Sequence, residues 1–327
     1  MSKSEKATIG TCKLCLNENV TLLNSHIIPD FVFRWLRDLS VTKHFRSSEA
    51  PNRRTERGLT RNWLCLECDN KKIGDKLESP FAKNIFLQTL SEKELSPLTY
   101  DSSLLRFCIS VLWRVLLVGI EEAESRNAKD GKPHLDFIAA LQELAEIWRK
   151  FLLDENAQWT GENVYFLRLG IKGLLPEDIA PRMNVYSKLS IDMATIVDPF
   201  CWEQKIYAKI GPFIIFSPLV RSYYGFWEKG GIFPINEKEG VLSIDSCELP
   251  LFFKDFLAGR ADLCENIHTN LSEKQKNKIN ELLNKNLNDY IDSDEHLLSL
   301  LDYVESEANL EEMNSKVMKF NIFSKDY

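Results

Sequence analysis

The chain contains no uninterrupted apolar run of the length that a membrane-spanning helix needs, no internal repeat and no low-complexity segment. Its most apolar stretch, residues 104–120, is interrupted by Arg106 and Arg114 and is shorter than the roughly 20 residues that a membrane-spanning helix needs. Residues 1–10 are polar and mixed in charge, unlike a secretory signal peptide. We therefore expect a cytoplasmic globular protein that does not interact with a membrane, with residues 104–120 forming a buried helix.

A glycine-rich phosphate-binding loop is also missing. Lys229, Gly230 and Gly231 lack the further glycine and the following Lys-Ser or Lys-Thr that such a loop requires, so they predict a turn. No other segment after residue 95 matches a catalytic pattern. Sequence patterns that predict a catalytic or metal-binding site are therefore confined to the first 95 residues.

The 327-residue chain carries a net charge of −7, but this charge is unevenly distributed. Residues 1–95 contain 16 Lys and Arg against 12 Asp and Glu, a net charge of +4, whereas the remaining residues contain 25 against 36, a net charge of −11. Residues 34–61 contribute eight basic and three acidic side chains. A polyanion would be attracted to this basic N-terminal part. The alternative is an arginine-rich loop that is simply solvated.

The length suits two domains, and Ser96-Pro97 marks the boundary between residues 1–95 and residues 96–327. In the first domain we expect a strand at 19–23, a helix at 31–39, an arginine-rich loop or loose hairpin at 40–61, and a helix at 66–86 in which Pro80 marks a break or the start of a second helix. In the second we expect helices at 102–125 (capped by Asp101 or Ser102), 135–153, 272–287 and 294–308, and a small antiparallel sheet from strands at 163–170, 184–197, 203–210 and 212–218.

The eight cysteines fall into two groups. Four are scattered and are expected to be free thiols: Cys108, Cys201, Cys247 and Cys264. The other four form two C-x-x-C pairs, Cys12/Cys15 and Cys65/Cys68, with 49 residues between the pairs. In a cytosolic chain such pairs are far more often metal ligands than disulfides, and four thiolates suit a tetrahedral zinc ion. We therefore predict one structural zinc site, closed by a chain that folds back on itself.

Between the two cysteine pairs lies the sequence Ser25-His26-Ile27-Ile28-Pro29, at the end of a predicted strand. A histidine in this setting, with the second C-x-x-C pair opening a helix, resembles the HNH endonuclease family over residues 12–86. The resemblance implies a ββα-metal module, which is a zinc-bound treble clef whose hairpin and helix hold a catalytic divalent ion. The expected fold class is thus α+β: this module, then a mainly helical domain with a small antiparallel sheet.

The resemblance also implies roles for individual residues. His26 would be the general base that activates water, a task that neutral imidazole suits near pH 7. Asn62 is our first choice for the asparagine that orients the base or the metal site, and Asn52 is the alternative. Ser25 stands where the family usually has Asp or His, and Asp69 stands where a final His often follows the second pair. Asp69 would bind Mg²⁺ or another divalent ion, with Glu78 as a further candidate.

Together, these expectations predict a metal-dependent endonuclease that hydrolyses DNA. Arg53, Arg54, Arg57 and Arg61 are the candidate phosphate contacts. The resemblance further implies a role in phage defence or a mobile element, and action as a homodimer or with an activating protein partner. Residues 96–327 would serve recognition, regulation or assembly. The alternative is a non-catalytic zinc finger that binds nucleic acid or protein, which the Ser25 departure favours.

Overall fold

The computed structural model describes residues 8–91, 96–130, 135–170, 175–196, 204–219, 224–242 and 247–304. These residues combine helices with three small antiparallel sheets, so the expectation of a mainly helical α+β protein is confirmed at that level. Cys201, one of the expected free thiols, lies outside the described residues.

The N-terminal sheet consists of three antiparallel strands in the order β1 (Thr8–Gly10), β2 (Val20–His26), β3 (Thr60–Cys65). Strand β2 runs three residues further than the sequence predicted, through His26, which pairs with Thr60. At the other end of the hairpin Leu22 pairs with Cys65, and the register shifts once between Leu23 and Asn24. The hairpin therefore carries His26 at one end and a cysteine of the second pair at the other.

Two helices flank this sheet. Helix α1 (Asp30–Leu39) starts after Pro29, whose fixed φ and missing N–H suit a helix start, and it buries Val32 and Phe33. A longer helix, α2, follows the second cysteine pair. It consists of a π-helical stretch Glu67–Glu78, a short α-helical turn Ser79–Phe81, a second π-helical stretch Ala82–Phe86 and a final turn Leu87–Ser91.

Of the two alternatives predicted for Pro80, the helix is not broken there, but a new helical segment begins beside it, at Ser79. Pro80 lies in the first turn of the short α-helical segment, between the two π-helical stretches. A proline lacks the N–H that a helix interior would use, and a first-turn position does not need that donor. The change between helical hydrogen-bonding patterns therefore accommodates the proline without ending the helix.

The next two helices, α3 (Ser102–Asp130) and α4 (Leu135–Leu153), pack together in the centre of the protein. Asp101 is the cap of α3, since its carboxylate accepts a hydrogen bond from the Ser103 N–H at 2.8 Å. The buried helix expected at residues 104–120 is confirmed. Residues 102–126 are long and apolar enough to cross a membrane by length and composition alone, and 83% of their most apolar window is buried within the protein.

The remaining elements form a four-stranded sheet in the order β5, β8, β7, β6, a two-stranded sheet of β4 and β9, and further helices. The sheet strands are β4 (Leu98–Asp101), β5 (Tyr165–Arg168), β6 (Ile191–Ile196), β7 (Lys205–Ile210), β8 (Phe213–Pro218) and β9 (Glu239–Leu242). The helices are α5 (Pro176–Ile179), α6 (Asn184–Leu189), α7 (Tyr224–Lys229), α8 (Leu251–Thr269), α9 (Glu273–Lys285), α10 (Leu287–Ile291) and a helical segment at residues 294–304.

Two sequence expectations need correction in this part. The strand predicted over residues 184–197 is a short helix, α6, followed by β6, and helix α8 was not predicted. Strands β7 and β8 agree with the expected hairpin, whose turn places Gly211 at φ +60°. A Cβ at Gly211 would also lie only 3.0 Å from the Trp35 ring, so the turn requires glycine for both reasons.

One continuous cluster of buried apolar residues links the N-terminal sheet to the later elements. It includes Leu14 and Val32 from the first 95 residues, Phe107 from α3 and Ile215 from β8. Phe81 of α2 stacks on Phe107 with ring centroids 3.7 Å apart. The division at residue 95 remains a prediction, but residues on both sides of it share this core.

Candidate metal centre and histidine site

The four cysteines of the two C-x-x-C pairs meet in one cluster. Cys12 and Cys15 lie in the turn between β1 and β2, Cys65 ends β3, and Cys68 lies in the first turn of α2. Their four sulfur atoms all lie within 4.8 Å of one another, and the Cys15 and Cys65 sulfurs are 3.8 Å apart. A tetrahedral ion with zinc–sulfur bonds of about 2.3 Å separates its ligands by about 3.8 Å. The cluster therefore fits a metal ion such as zinc.

The backbone of the first pair is shaped for this purpose. The N–H of Leu16 donates to the Cys12 carbonyl at 2.9 Å, and the N–H of Cys12 donates to the Asn17 carbonyl at 3.0 Å. Leu16 has a φ of 62°, which lets the chain reverse directly after Cys15. The Cys65 N–H also points at the Cys12 sulfur, at 3.4 Å. This reversal holds two sulfurs on one side of the turn.

The pKa values of the thiols differ strongly within the cysteine cluster. A hydrogen bond from the Cys68 thiol, assisted by backbone N–H groups, lowers the pKa of Cys12 to about 4 against the opposing effect of burial. The same hydrogen bond and burial raise the pKa of Cys68 far above its usual value. Thiolates are the form that binds zinc, and a bound cation would replace the proton that these sulfurs share.

His26 lies at the end of β2, directly before the buried residues Ile27 and Ile28. Its side chain is 22% exposed, and its Nε2 lies 3.4 Å from a carboxylate oxygen of Asp30. That contact lacks hydrogen-bond geometry, so Nε2 has no hydrogen-bond partner among the described residues. The other Asp30 oxygen accepts a contact from the Arg34 guanidinium at 3.1 Å. Nε2 is thus a buried polar atom without a hydrogen-bond partner among the described residues, beside a carboxylate, and such an atom calls for an explanation.

A buried arginine holds the backbone of His26. Arg114 of α3 is 2% exposed and donates to the His26 carbonyl at 2.8 Å and to a Glu78 oxygen at 2.8 Å. Its Nε donates to the Ser110 carbonyl at 3.0 Å. The sequence suggested Glu78 as a metal helper, whereas the structure places it in this ion pair. Arg114 appeared in the sequence only as an interruption of an apolar run.

The other residues expected at the catalytic site are distributed differently. Asn62 pairs with Asn24 across the hairpin, and its amide donates to the Thr8 hydroxyl at 3.2 Å. Asp69 is half-buried one residue after Cys68. Within the described part of the chain, the cysteine cluster is the one group of three or more potential metal ligands in reach of one another, so neither His26 nor Asp69 belongs to such a group.

Ser25 and Asn52 are both occupied elsewhere. Ser25 is buried, and its hydroxyl donates to the Leu23 carbonyl at 3.4 Å. The Asn52 side chain donates to the Asn270 carbonyl at 3.2 Å and accepts from the Ser272 N–H at 2.7 Å. Asn52 therefore ties its loop to the start of α9, and Asn62 stays the candidate on the hairpin that bears His26.

We call residues 40–59 the basic loop. It forms a loose hairpin in which Phe45 and Thr55 exchange backbone hydrogen bonds of 3.2 and 3.0 Å, as the sequence allowed. An open pocket of about 470 Å³ on this loop is lined by six residues. They are His44, Arg53, Arg54, Thr55, Glu56 and Arg57. Three of the four arginines predicted to contact phosphates therefore lie together.

Arg61, the fourth of those arginines, has a different environment. Its Nε donates to Glu121 of α3 at 3.2 Å, and Glu121 also accepts hydrogen bonds from Lys13 and from the Trp63 indole. Burial alone would raise the pKa of Glu121, but these donors lower it below its usual value. The guanidinium of Arg61 is thus neutralised by a partner that lies far away in the sequence.

Sequence reasoning missed Asp30, Arg114 and Glu121. Asp30 could have been found from the sequence, because it lies only four residues after His26, at the start of α1. Arg114 and Glu121 could not, since both reach the site from a helix 50 or more residues away in the chain. Comparison with known proteins adds no assignment: no family model matches the chain, and neither curated proteins nor solved structures give a match.

Proposed function

We propose that this chain is a metal-dependent HNH-type endonuclease that hydrolyses phosphodiester bonds of DNA, with His26 as the general base. The observation that carries the proposal is the position of His26. Its Nε2 has no hydrogen-bond partner among the described residues and lies 3.4 Å from Asp30, on a hairpin whose other end is fixed by four clustered cysteines. A structural zinc finger needs only the cysteines, so the histidine calls for a separate explanation.

The order of the elements supports a treble-clef ββα-metal module. A cysteine turn, a β-hairpin and a helix that opens with the last cysteine follow one another, and a zinc ion on the four sulfurs would join all three. Zinc has a structural role in this proposal, because four protein thiolates leave no position open for substrate. It would keep β2 and therefore His26 at a fixed distance from α2.

The proposed chemistry assigns His26 a single task. Neutral imidazole would take a proton from the attacking water, and the Asp30 carboxylate, 3.4 Å from Nε2, would stabilise the imidazolium that forms. Arg34 holds Asp30 in place from the solvent side. Arg114 fixes the backbone of His26, so that the ring cannot retreat from the hairpin end.

A divalent ion such as Mg²⁺ would supply neutralisation of the charge that builds on the phosphate. Mg²⁺ commonly binds proteins through one or two carboxylates together with substrate phosphate oxygens. Asp30, beside His26, is the carboxylate that would hold it near the base, whereas Asp69 follows Cys68 at the other end of the paired strands. This ligand set suits an ion that arrives with its substrate.

A non-catalytic zinc module that binds nucleic acid is the second candidate. The burial of Ser25 favours it, since the position that precedes the histidine offers no ligand to an ion at the surface. In the described residues, no second group of three potential ligands accompanies the cysteines. In this alternative the basic loop would still attract a polyanion, but His26 would have no catalytic role.

Plasmid cleavage separates the two candidates. Purified full-length protein is incubated with supercoiled DNA and Mg²⁺, Mn²⁺, Ni²⁺ or no added divalent ion, beside His26→Ala. His296→Ala is the matched control, because that half-buried histidine lies on the helical segment 294–304 and contacts Tyr290 instead. The proposal expects metal-dependent nicking by wild type and by the control, and none by His26→Ala, with equal zinc content in all three. Salt-sensitive DNA binding without cleavage by any of them would favour the binding module.

A further inference from the structure

Three guanidinium groups on the basic loop have no counter-ion among the residues that the structure describes. The side chains of Arg53, Arg54 and Arg57 make no hydrogen bond or ion pair with any described residue, although they line the same pocket. The one carboxylate at the pocket, Glu56, lies 3.7 Å from the His44 ring. With His44 neutral, the charged side chains that line the pocket sum to +2. Unpaired like charges repel, so an anion that enters the pocket would relieve this repulsion.

The repulsion extends to the neighbouring arginine. Partial burial lowers the pKa of Arg46, and the positive charge of Arg54 lowers it further. Arg46 is nonetheless held by two hydrogen bonds, from Nη1 to the Pro51 carbonyl at 2.6 Å and from Nη2 to Gln275 at 2.8 Å. The loop therefore keeps its positive groups close together in spite of their mutual repulsion.

The loop is braced rather than free. Besides the contacts of Arg46, the Phe45–Thr55 bridge closes its base, and Asn52 is tied to Asn270 and Ser272. Such bracing orders the loop before a ligand arrives, which reduces the entropy cost of binding. The His44 ring is oriented in the same way, because its Nδ1 donates to the Thr42 carbonyl at 2.6 Å and leaves Nε2 toward Glu56.

The pocket also lies close to His26. The ring of Phe33 is 6.2 Å from the His26 ring and 5.4 Å from the ring of Phe45, the loop residue that precedes Arg46. The chain returns from the loop into β3 beside His26, with the Ile27 N–H donating to the Leu59 carbonyl at 3.0 Å. One aromatic side chain thus separates the histidine from the base of the loop.

We propose that the pocket formed by His44, Arg53, Arg54 and Arg57 is a preformed binding site for phosphate groups of the nucleic-acid backbone. Arginine pairs with phosphate through two parallel N–H donors, and three such groups around one opening suit a strand with regularly spaced charges. The inference rests on the proposed function in that the phosphates are those of its substrate. Arg61 is excluded from the site, since Glu121 already neutralises it.

The test measures binding without cleavage. Zinc-loaded full-length protein carrying His26→Ala is titrated with fluorescent duplex DNA, with no added divalent ion, at several salt concentrations. The test variant adds Arg53→Gln, Arg54→Gln and Arg57→Gln. The control variant adds Lys274→Gln, Lys278→Gln and Lys285→Gln, which remove the same charge from exposed positions of α9. Because the assay does not depend on cleavage, it measures DNA binding at the phosphate site even if the nuclease proposal fails.

Each phosphate contact that is lost should reduce the slope of log Kd against log salt by about one unit. The arginine variant is therefore expected to lose about three units of slope, whereas the lysine variant keeps the wild-type slope. Arg57→Gln alone should lose about one unit, which guards against an effect of misfolding in the triple variant. Equal slopes for the arginine and lysine variants, or no loss in either, would overturn the inference.

A competition arm identifies the source of the phosphate. Inorganic phosphate is added at constant ionic strength, with chloride as the comparison anion. If the site binds the nucleic-acid backbone, inorganic phosphate displaces DNA only at concentrations far above the Kd for DNA, because the duplex makes several linked contacts. Displacement by inorganic phosphate at concentrations close to the Kd for DNA would assign the pocket to a free phosphate and overturn the backbone inference.

Discussion

Replacement of Arg114 tests whether the core holds His26 in place. Arg114 is 2% exposed and its partner Glu78 is 19% exposed, so the ion pair lies almost entirely inside the protein. Arg114→Met keeps most of the volume but leaves the Glu78 carboxylate and the His26 carbonyl without their donor. Removal of one partner of a buried pair typically costs about 3–5 kcal/mol. We expect a loss of this size in the free energy of unfolding, measured by urea denaturation of the zinc-loaded protein.

A double replacement separates the ion pair from simple loss of packing. Arg114→Met with Glu78→Leu removes both charges, and the remaining cost should fall to about 1–3 kcal/mol for the unsatisfied His26 carbonyl. Arg126→Met, at an exposed position of the same helix, is the control and should stay within about 0.5 kcal/mol of wild type. A cost below about 1 kcal/mol for Arg114→Met, or strictly additive single and double effects, would refute the reasoning.

Two further predictions concern the metal and the effect of pH. The purified protein should contain one zinc ion. Cys65→Ser should lose this ion and melt at a lower temperature, whereas Cys247→Ser, outside the cluster, should retain the ion. Elemental analysis measures the zinc content and thermal melting measures the stability. Burial lowers the pKa of Lys209 to about 7 in the folded protein, against about 10.5 for a lysine exposed to solvent. The unfolded chain therefore binds more protons between these values, so stability should rise with pH from about 7 to 10 in wild type and less steeply in Lys209→Met. Parallel urea curves that give the same pH dependence for both proteins would contradict this.

The parts of the site that depend only on residues close together in the sequence could be predicted from the sequence. A C-x-x-C turn needs only local backbone geometry, and two such turns in one small unit predict a shared ion. The predicted strand placed His26 correctly near its end, because Ile27 and Ile28 mark the chain's entry into the core. The presence of a metal-fitting cysteine cluster is confirmed, whereas the catalytic role of His26 remains a proposal.

Arg61 illustrates what local charge cannot reveal. The count of basic residues from 34 to 61 treats every arginine alike, but successive residues of a strand point to opposite faces. Thr60 and Asn62 pair with His26 and Asn24, so Arg61 lies on the other face, toward Glu121 of α3. The sequence separation of 60 residues between these partners left no pattern that could predict their contact.

The errors in the second part of the chain have a related cause. The segment 184–197 contains β-branched and aromatic residues typical of strands, yet its first half is helical. The N–H groups at the start of that helix, Asn184 and Val185, donate to the carboxylate of Asp302 at 2.8 and 3.1 Å. A carboxylate near a helix N-terminus stabilises the helix. Tertiary contact with a residue over 100 positions away therefore overrides the local preference.

These long-range contacts determine how a truncated chain would behave. A fragment of residues 1–95 would contain the cysteines, His26 and the basic loop, but it would lack three supports. Arg114 would no longer hold the His26 carbonyl and Glu78, Glu121 would no longer pair with Arg61, and the loop would lose its ties to residues 270–275. Loss of activity in such a fragment would then reflect a displaced histidine and an unbraced loop. Single substitutions at the supports, in the full chain, are therefore the appropriate way to test how residues 96–327 position His26 and the basic loop.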